Sequence, residues 1–245
     1  KLFSYKFKKY RLFIIMPTLL KHTNSDFIEE HYKEQIIALD LFFKESGAKH
    51  IPSSKIRFGG GTALAIYYFQ HRLSFDIDLF VSDIQYLDYI RPKMWIEESN
   101  SFQNIEYIDQ HNHVGLITKN GIKVDILVDS NSSNFSIDTS KKLVNFDLYI
   151  EDIADIIAKK ITFRKKDNKT RDIIDIAICL DSNPNLFNEL IELEKVTKDD
   201  LKILKESLLQ LNKNRYLSQL NIVKPFEKYI ELSKKAPEYL ISKIC

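Results

Sequence analysis

The sequence predicts an α+β protein, with a mixed β-sheet domain flanked by helices at residues 1–145 and a helical domain at residues 146–245. In the first half, short segments with alternating apolar residues lie between segments of helical periodicity. From Glu151 onward, every periodic segment is helical. Residues 129–140 are rich in serine, asparagine and aspartate, which predicts an exposed loop between the two halves.

Length and charge limit the possible functions. A chain of 245 residues, 44% of them hydrophobic, can bury the core of one large domain or two modest ones. Its 36 basic residues nearly balance its 34 acidic residues, so any basic binding patch must be local. Two cysteines, Cys179 and Cys245, exclude a disulfide framework and lead us to expect a cytoplasmic protein.

The N-terminal segment loosely imitates a targeting signal. Basic residues precede the apolar run at residues 12–20, but Pro17 interrupts that run. Lys21 and His22 follow it without a small-residue cleavage site, and the run is too short to cross a bilayer. We interpret the segment as a basic arm and expect no membrane association.

Periodicity and punctuation define the predicted elements. Ser25 or Asp26 can cap a first helix, which Gly47 ends, and Asn120-Gly121 predicts a two-residue hairpin turn. The predicted strands are residues 55–58, 75–81, 102–108, 113–118 and 122–128. The predicted helices are residues 25–46, 62–71, 83–100 with a break near Pro92, 151–166, 170–180, 186–194, 198–212, 224–234 and 237–244.

The stretch from Arg57 to Phe80 organises the predicted site. Gly60 and Gly61 allow unusual backbone angles and close approach of a ligand, and Thr62 can cap a helix whose N-terminus attracts phosphate. Asp76 and Asp78 lie two residues apart on a strand and therefore share a face. A divalent cation relieves the repulsion between two such carboxylates, and Mg²⁺ takes oxygen ligands from carboxylates and substrate phosphates. This combination indicates nucleotide chemistry.

These residues also carry a family resemblance. Gly60-Gly-Thr-Ala-Leu64, followed by His71-Arg-Leu-Ser-Phe-Asp-Ile-Asp-Leu-Phe80, resembles the AbiEii/AbiGii toxin family of the nucleotidyltransferase superfamily. Arg72 and Ser74 contribute to the match and are candidate nucleotide-binding residues. The resemblance implies a nucleotidyltransferase-like sheet domain, a role in a bacterial toxin–antitoxin or phage-defence system, a cognate antitoxin, and tRNA as an acceptor.

A second block resembles the same family. It consists of an acidic helix start at Glu151, followed by Lys160, Arg164 and Arg171-Asp-Ile-Ile-Asp175. Helical spacing points to the same residues without the family resemblance. Lys160 and Arg164 continue the apolar stripe of one predicted helix, and Asp172 and Asp175 lie among the isoleucines of the next. Such charges are costly unless they are paired, so we predict a Lys160–Asp175 pair and an Arg171–Asp172 pair. This polar seam either faces the glycine turn and contacts nucleotide phosphates or is only an interdomain salt bridge.

Other features leave alternatives open. Asp125 alternates with apolar residues on the strand at 122–128, and it is either a third catalytic and metal-binding carboxylate or part of a solvated face. The basic cluster is either a contact for an RNA backbone or a solvated surface; its members are Lys159, Lys160, Arg164, Lys165, Lys166, Lys169 and Arg171. We interpret His111 and His113 as a surface turn, and His71 as a packing or phosphate-contacting residue.

The resulting hypothesis is an Mg²⁺-dependent (or Mn²⁺-dependent) nucleotidyltransferase that moves a nucleoside monophosphate from an NTP to an acceptor hydroxyl. Asp76, Asp78 and Asp125 would bind metal, and Lys160 and Asp175 would complete the catalytic set. Nucleotide-binding candidates are Gly60, Gly61, Thr62, Arg72, Ser74 and Arg164. The alternatives are an enzyme that modifies protein hydroxyls, a non-catalytic nucleotide-binding module, and a structural nucleic-acid binder.

Overall fold

The computed structural model describes residues 25–130, 135–167 and 169–244. The predicted N-terminal arm lies outside these residues. Over the described chain, no helix combines the length and the apolar character needed to cross a membrane.

Seven strands of the described chain form one mixed sheet. They are β1 (Ile56–Gly59), β2 (Ile77–Val81), β3 (Ile108–Gln110), β4 (His113–Ile117), β5 (Lys123–Val128), β6 (Phe135–Asp138) and β7 (Leu148–Glu151). Their order is β3-β4-β5-β2-β1-β7-β6. β2 runs antiparallel to β1 and parallel to β5, and β1 runs parallel to β7. The mixed sheet with its helices confirms the predicted fold class.

Helices accompany and follow the sheet. They are α1 (Ser25–Glu45), α2 (Gly60–Ala63), α3 (Ile84–Ile90), α4 (Ile153–Arg164), α5 (Thr170–Ser182), α6 (Leu186–Glu192), α7 (Lys198–Leu209), α8 (Lys213–Val223) and α9 (Ile230–Lys243). α2 continues into a π-helical turn at Leu64–Phe69, and Gln70 ends it in the left-handed region with φ 49°. α4 begins after Asp152, whose carboxylate accepts from the Ala154 N–H.

In the adjacent strands β2 and β5, successive side chains point alternately to the core and to the predicted site. Ile77 and Leu79 of β2 and Val124 and Ile126 of β5 are all 0% exposed. Residues between them point to the opposite face, because side chains alternate along a strand. At β2 and β5, one face therefore carries the apolar core, and the other presents the residues of the predicted site.

Two of the predictions in the sheet were wrong. Residues 102–108 do not form a strand; Phe102 makes only an isolated bridge with Thr118, and the strand is β3. Residues 135–138, predicted to belong to a loop, form β6 and pair with β7. β6 alternates exposed Phe135 and Ile137 with polar residues, as an edge strand does, and its polar composition concealed it.

The hairpin between β4 and β5 occurs where it was predicted, but with a different turn. The Gly121 N–H donates to the Thr118 carbonyl at 2.8 Å, so Lys119 and Asn120 are the central residues. Gly121 follows them with φ 86°. This is a three-residue loop with a glycine bulge rather than a two-residue loop centred on Asn120-Gly121.

The last helices also differ from the prediction. α8 was missed, because only Tyr216 and Leu220 of it are buried and its apolar stripe is sparse. Pro237, predicted to start a helix, lies inside α9. A proline has no N–H, so the Ser233 carbonyl loses its helical donor. The Tyr216 hydroxyl donates to that carbonyl at 2.5 Å and replaces the missing bond.

The predicted domain boundary falls between β6 and β7, which are neighbours in one sheet. β7 therefore places a strand in the half that was predicted to be helical, and it lies directly beside β1. The division into two domains stays a prediction. What β7 does is join the helices that follow it to the strand that precedes the glycine turn.

Candidate active site

A cavity of about 490 Å³ lies between the glycine turn, β2 and the helices α4 and α5. Eight of the predicted site residues line it: Gly60, Gly61, Arg72, Ser74, Asp76, Asp78, Lys160 and Arg164. Three do not. Thr62 and Asp175 are buried behind the wall, at 1% and 0% exposure, and Asp125 lies beside the cavity on β5.

The carboxylates converge from two parallel strands. Asp78 and Asp125 are register partners of β2 and β5, so their side chains emerge side by side on one face. Burial raises the pKa of Asp78, Lys160 lowers it, and Asp125 and Asp76 raise it again, with a net increase. Burial is the main cause of this increase, and the neighbouring carboxylates add to it.

These carboxylates fit a divalent cation. Among the described residues, no three histidine, cysteine or acidic side chains form a ready-made metal cage. Mg²⁺ commonly takes only one or two protein carboxylates and completes its shell with water and substrate phosphate. Asp78, with its raised pKa and its neighbours Asp76 and Asp125, offers that kind of donor set.

Glycine is required at the turn for two different reasons. Gly60 has φ 66°, and a Cβ atom there would lie 1.9 Å from Oδ2 of Asp78. A Cβ atom on Gly61 would lie 2.3 Å from Nη2 of Arg72. The turn can therefore approach both the carboxylate and the guanidinium only because it has no side chains.

Thr62 does not cap a helix, contrary to the prediction. Gly59 occupies the cap position of α2, without a side-chain hydrogen bond. The Thr62 hydroxyl instead donates to the Asp76 carbonyl and lies 2.8 Å from the Ser74 hydroxyl. These bonds tie the start of α2 to the segment that enters β2, so Thr62 positions the aspartates.

Beneath the cavity lies a buried ionic network centred on α5. Arg72 binds Asp175 through two nitrogens, at 2.7 and 2.8 Å. Lys160 Nζ lies 3.0 Å from Asp175 Oδ2 and 2.7 Å from Asp172 Oδ1, and Arg164 lies 2.9 Å from Asp172. Three cations against two carboxylates leave one net positive charge facing the cavity.

Ionisation in this network is held by mutual pairing. Burial opposes charge on Asp175, but Arg72 and Lys160 outweigh it and hold the pKa of Asp175 well below its ordinary value. Burial likewise opposes charge on Lys160, but Asp175 and Asp172 raise its pKa. Burial lowers the pKa of His71, whose Nε2 lies 2.7 Å from Asp175. Neutral His71 therefore donates from Nε2.

The predicted ion pairs are partly correct. The Lys160–Asp175 pair is confirmed, with Lys160 shared by Asp172. The Arg171–Asp172 pair is wrong: Arg171 lies 3.2 Å from Asp76 across the cavity rim, and Arg164 serves Asp172. Helical spacing cannot reveal this exchange, because Asp76 is far away in sequence.

The structure also disperses the basic cluster. Lys159 pairs with Glu151 and Asp129, and Lys165 pairs with Asp200. With Lys160, Arg164 and Arg171 paired as described above, only two members of the cluster have no ion pair within the described chain; they are Lys166 and Lys169.

Several residues of the site were not foreseen. Away from the glycine turn, four apolar side chains line the cavity, Phe80, Leu127, Ile156 and Phe163, with Lys159 and Asp129 beside them. Two of them could have been found by spacing, because Phe80 follows Asp78 at i+2 on a strand and Phe163 follows Lys160 at i+3 on a helix.

His113 was also misjudged as part of a surface turn. It lies on β4, and its Nε2 is 2.7 Å from Oδ1 of Asp125. Gly115, the register partner of Asp125, leaves room for this carboxylate, since a Cβ atom there would lie 3.2 Å from Oδ1. His113 thus orients the third candidate carboxylate.

Comparison with known proteins completes the description of the site. Residues 47–231 match the family model described as nucleotidyl transferase AbiEii toxin, type IV toxin–antitoxin system. Among solved structures, JHP933 from Helicobacter pylori is similar, with 16% identity, a TM-score of 0.45, and 88% of this chain and 89% of that chain covered. MenT4, a nucleotidyltransferase toxin from Mycobacterium tuberculosis H37Rv, shows 12% identity, a TM-score of 0.45, and coverage of 89% and 99%. No curated protein matched.

Proposed function

The chain belongs to the AbiEii family of nucleotidyltransferase toxins, and on this premise we propose that it moves a nucleoside monophosphate from an NTP to an acceptor hydroxyl on RNA. Mg²⁺ is the proposed cofactor, with Mn²⁺ able to replace it. Membership of a toxin–antitoxin family implies a nucleotide substrate and a cognate antitoxin.

One observation carries the proposal. The glycine turn, Asp76, Asp78 and the ammonium group of Lys160 meet on the wall of a single cavity, although they come from separate parts of the chain. A phosphate chain bridged by a cation needs this combination of backbone N–H groups, carboxylates and a fixed positive charge.

Each group has a proposed task. Gly60 and Gly61 would hold the triphosphate through the backbone, and Asp76, Asp78 and Asp125 would hold Mg²⁺. A bound divalent cation would neutralise charge on the phosphates and on the leaving group. Ser74 and Arg164 would contact the phosphates from either side, because both line the cavity.

The proposed reaction is an in-line displacement. The acceptor oxygen forms a bond to the α-phosphorus, the bond from that phosphorus to the bridging oxygen breaks, and pyrophosphate leaves with that oxygen. The proton of the acceptor hydroxyl would pass to Asp125 if that carboxylate does not bind the metal, and to water if it does. Lys160 would offset the charge that collects on pyrophosphate, held in place by Asp172 and Asp175 at 2.7 and 3.0 Å.

An RNA acceptor is supported by a second groove. A cavity of about 780 Å³ between α7, α8 and the end of α4 is lined by three basic residues, Lys166, Lys169 and Arg215, and two acidic residues, Asp167 and Glu206. None of the three has an ion pair with another described residue. Thr170 on its wall directly precedes Arg171, which lines the catalytic cavity. We propose that a nucleic-acid strand bound in this groove extends to the active site, and that this RNA is tRNA.

The test is label transfer from each α-labelled NTP, with Mg²⁺, to total RNA and total protein from a bacterial extract. Wild type should label RNA and release pyrophosphate, while Asp78→Asn should lose both. Asp147→Asn, an exposed aspartate outside the site, is the matched control and should behave as wild type.

The rival functions predict other outcomes. Label on protein instead of RNA would replace the RNA acceptor by a protein hydroxyl. NTP binding without pyrophosphate release, unchanged in Asp78→Asn, would indicate a non-catalytic module. RNA binding that needs neither Mg²⁺ nor NTP would indicate a structural nucleic-acid binder.

A further inference from the structure

The catalytic cavity changes in character from one end to the other. Gly60, Asp76 and Asp78 lie at the polar end. Phe80, Phe163 and aliphatic side chains line the other end, together with Lys159, whose ammonium lies over the Phe80 ring, and its partner Asp129. Asp78 and Phe80 are two residues apart on one strand, so the two ends are separated by roughly 7 Å along β2. A ligand that fills the cavity must combine a polyanionic part with a flat or apolar part.

Phe163 is unusual on this wall. Its side chain is 80% exposed, whereas its helix buries the neighbouring Lys160 and Ile161 to 8% and 0% exposure. Burial of a phenylalanine is normally favourable by about 2 kcal/mol, so a face left open toward a cavity is available to a ligand. Lys160 precedes Phe163 by three residues, which places the ring one helical turn from the proposed phosphate contact.

Phe80 is not equivalent to Phe163. It is 9% exposed, and the Lys159 ammonium lies 3.3 Å from its ring centroid. This cation occupies one face of the Phe80 ring, so Phe80 acts as a wall of the cavity. Phe163 is therefore the aromatic ring at this end with an open face.

Given the proposed function, on which this inference rests, we propose that Phe163 is the stacking platform for the nucleobase of the bound NTP. The triphosphate would lie toward Gly60 and Asp78. The base would lie against the exposed ring of Phe163, at the opposite end of the cavity. Stacking tolerates any base, since every base has a π-face. The platform therefore contributes affinity for nucleotides as a class.

The test separates the base from the phosphates. Binding of ATP, GTP, CTP and UTP, and of inorganic tripolyphosphate, is measured by calorimetry with Mg²⁺ present. Phe163→Ala should bind each NTP about 10- to 100-fold more weakly, the range found when a stacking ring is removed. It should bind tripolyphosphate as wild type does, because this probe has no base. Phe163→Tyr should restore NTP affinity.

Phe135→Ala is the matched control, since Phe135 is 45% exposed on edge strand β6 and does not line the cavity. It should bind every probe as wild type does. Unchanged NTP affinity in Phe163→Ala would overturn the inference, and so would an equal loss for NTPs and tripolyphosphate. If wild type binds no NTP at all, both the inference and the proposed function fail. If wild type transfers label normally and Phe163→Ala binds normally, only the inference fails.

Discussion

At the scale of single residues, the buried carboxylates of α5 determine how positive charge is held under the cavity. Asp175 is 0% exposed and receives bonds from Arg72, Lys160 and His71. None of these partners can be solvated if the carboxylate loses its charge, because all of them are buried. The stability of the site and the position of Lys160 therefore depend on one aspartate.

We predict that Asp175→Asn lowers the free energy of unfolding at pH 7 by about 3–5 kcal/mol, since it leaves Arg72 and Lys160 underpaired in the interior. Because the pKa of Asp175 is well below its ordinary value, its ionised form adds stability in full above the unfolded pKa of about 3.9, and this contribution declines as pH falls from there toward the folded pKa. Urea unfolding should therefore show that the free energy of unfolding differs less between wild type and Asp175→Asn at pH 3 than at pH 7. A constant difference would contradict the assignment, and Asp147→Asn serves as the control.

His113 orients Asp125, because its Nε2 lies 2.7 Å from the carboxylate Oδ1. Loss of a residue that orients a metal-binding carboxylate costs about 10- to 100-fold in activity or metal affinity. His113→Ala should therefore lower label transfer by this factor without a comparable loss of stability. The control is His111→Ala, an exposed histidine in the adjoining turn. Equal activity in the two variants would remove His113 from the site.

At the scale of elements, the turn from β1 into α2 and the continuity of α9 each depend on a residue type, glycine or proline, that usually interrupts regular secondary structure. Gly60 has a positive φ, and the Asp78 carboxylate leaves no room for a side chain there, so only glycine fits this position of the turn. Pro237 lies in a helix because a neighbouring helix supplies the missing donor.

Gly60→Ala should abolish detectable label transfer, because its methyl group would meet the Asp78 carboxylate at 1.9 Å. Gly121→Ala is a matched control, with φ 86° and no atom within 4 Å of the added methyl group. Gly121→Ala should lose about 1–2 kcal/mol of stability from the positive φ, and Gly60→Ala should lose more, because its methyl group also clashes with Asp78. Only Gly60→Ala should lose activity, as urea unfolding and transfer assays on the same preparations will show.

Tyr216→Phe should destabilise the protein by about 1–3 kcal/mol, because it leaves the Ser233 carbonyl buried without a donor. In a Pro237→Ala background, the alanine N–H can bond to that carbonyl, so the same change should cost less. A double-mutant cycle by urea unfolding measures the difference. Equal costs in the two backgrounds would show that the hydroxyl and the proline are independent.

At the scale of the whole molecule, β7 and the helices after it complete a site that β1, α2 and β2 begin. α5 supplies Asp172, Asp175 and Arg171, and α4 supplies Lys160 and Phe163. The same two helices lead to the groove lined by Lys166, Lys169 and Arg215. Catalytic cavity and proposed acceptor groove therefore share one support.

Replacing Lys166, Lys169 and Arg215 by serine should weaken binding of single-stranded RNA and reduce its salt dependence. Each lost phosphate contact lowers the slope of log affinity against log salt by about 0.7. Filter binding across a salt series measures the slope. Lys49→Ser with Lys93→Ser, two exposed lysines elsewhere, should leave it unchanged. An unaltered slope in the groove variant would indicate that RNA lies elsewhere.

Residues whose roles depend on local spacing are predictable from the amino-acid sequence alone. The glycine turn, the aspartates Asp78 on β2 and Asp76 just before it, and the helical line from Lys160 to Arg164 each depend on neighbours within a few residues, so spacing reveals them. The resemblance to a nucleotidyltransferase family rests on these same stretches, and the family match covers them.

Contacts between segments that are distant in sequence could be identified only in the folded chain. Arg171 pairs with Asp76 rather than Asp172, His113 holds Asp125, and a hydroxyl from α8 makes Pro237 acceptable inside α9. Each of these contacts joins groups from different elements, and no local period encodes which distant group will lie opposite. The basic cluster was predicted as one surface for the same reason. In the folded chain, most of its charges pair with carboxylates from other segments.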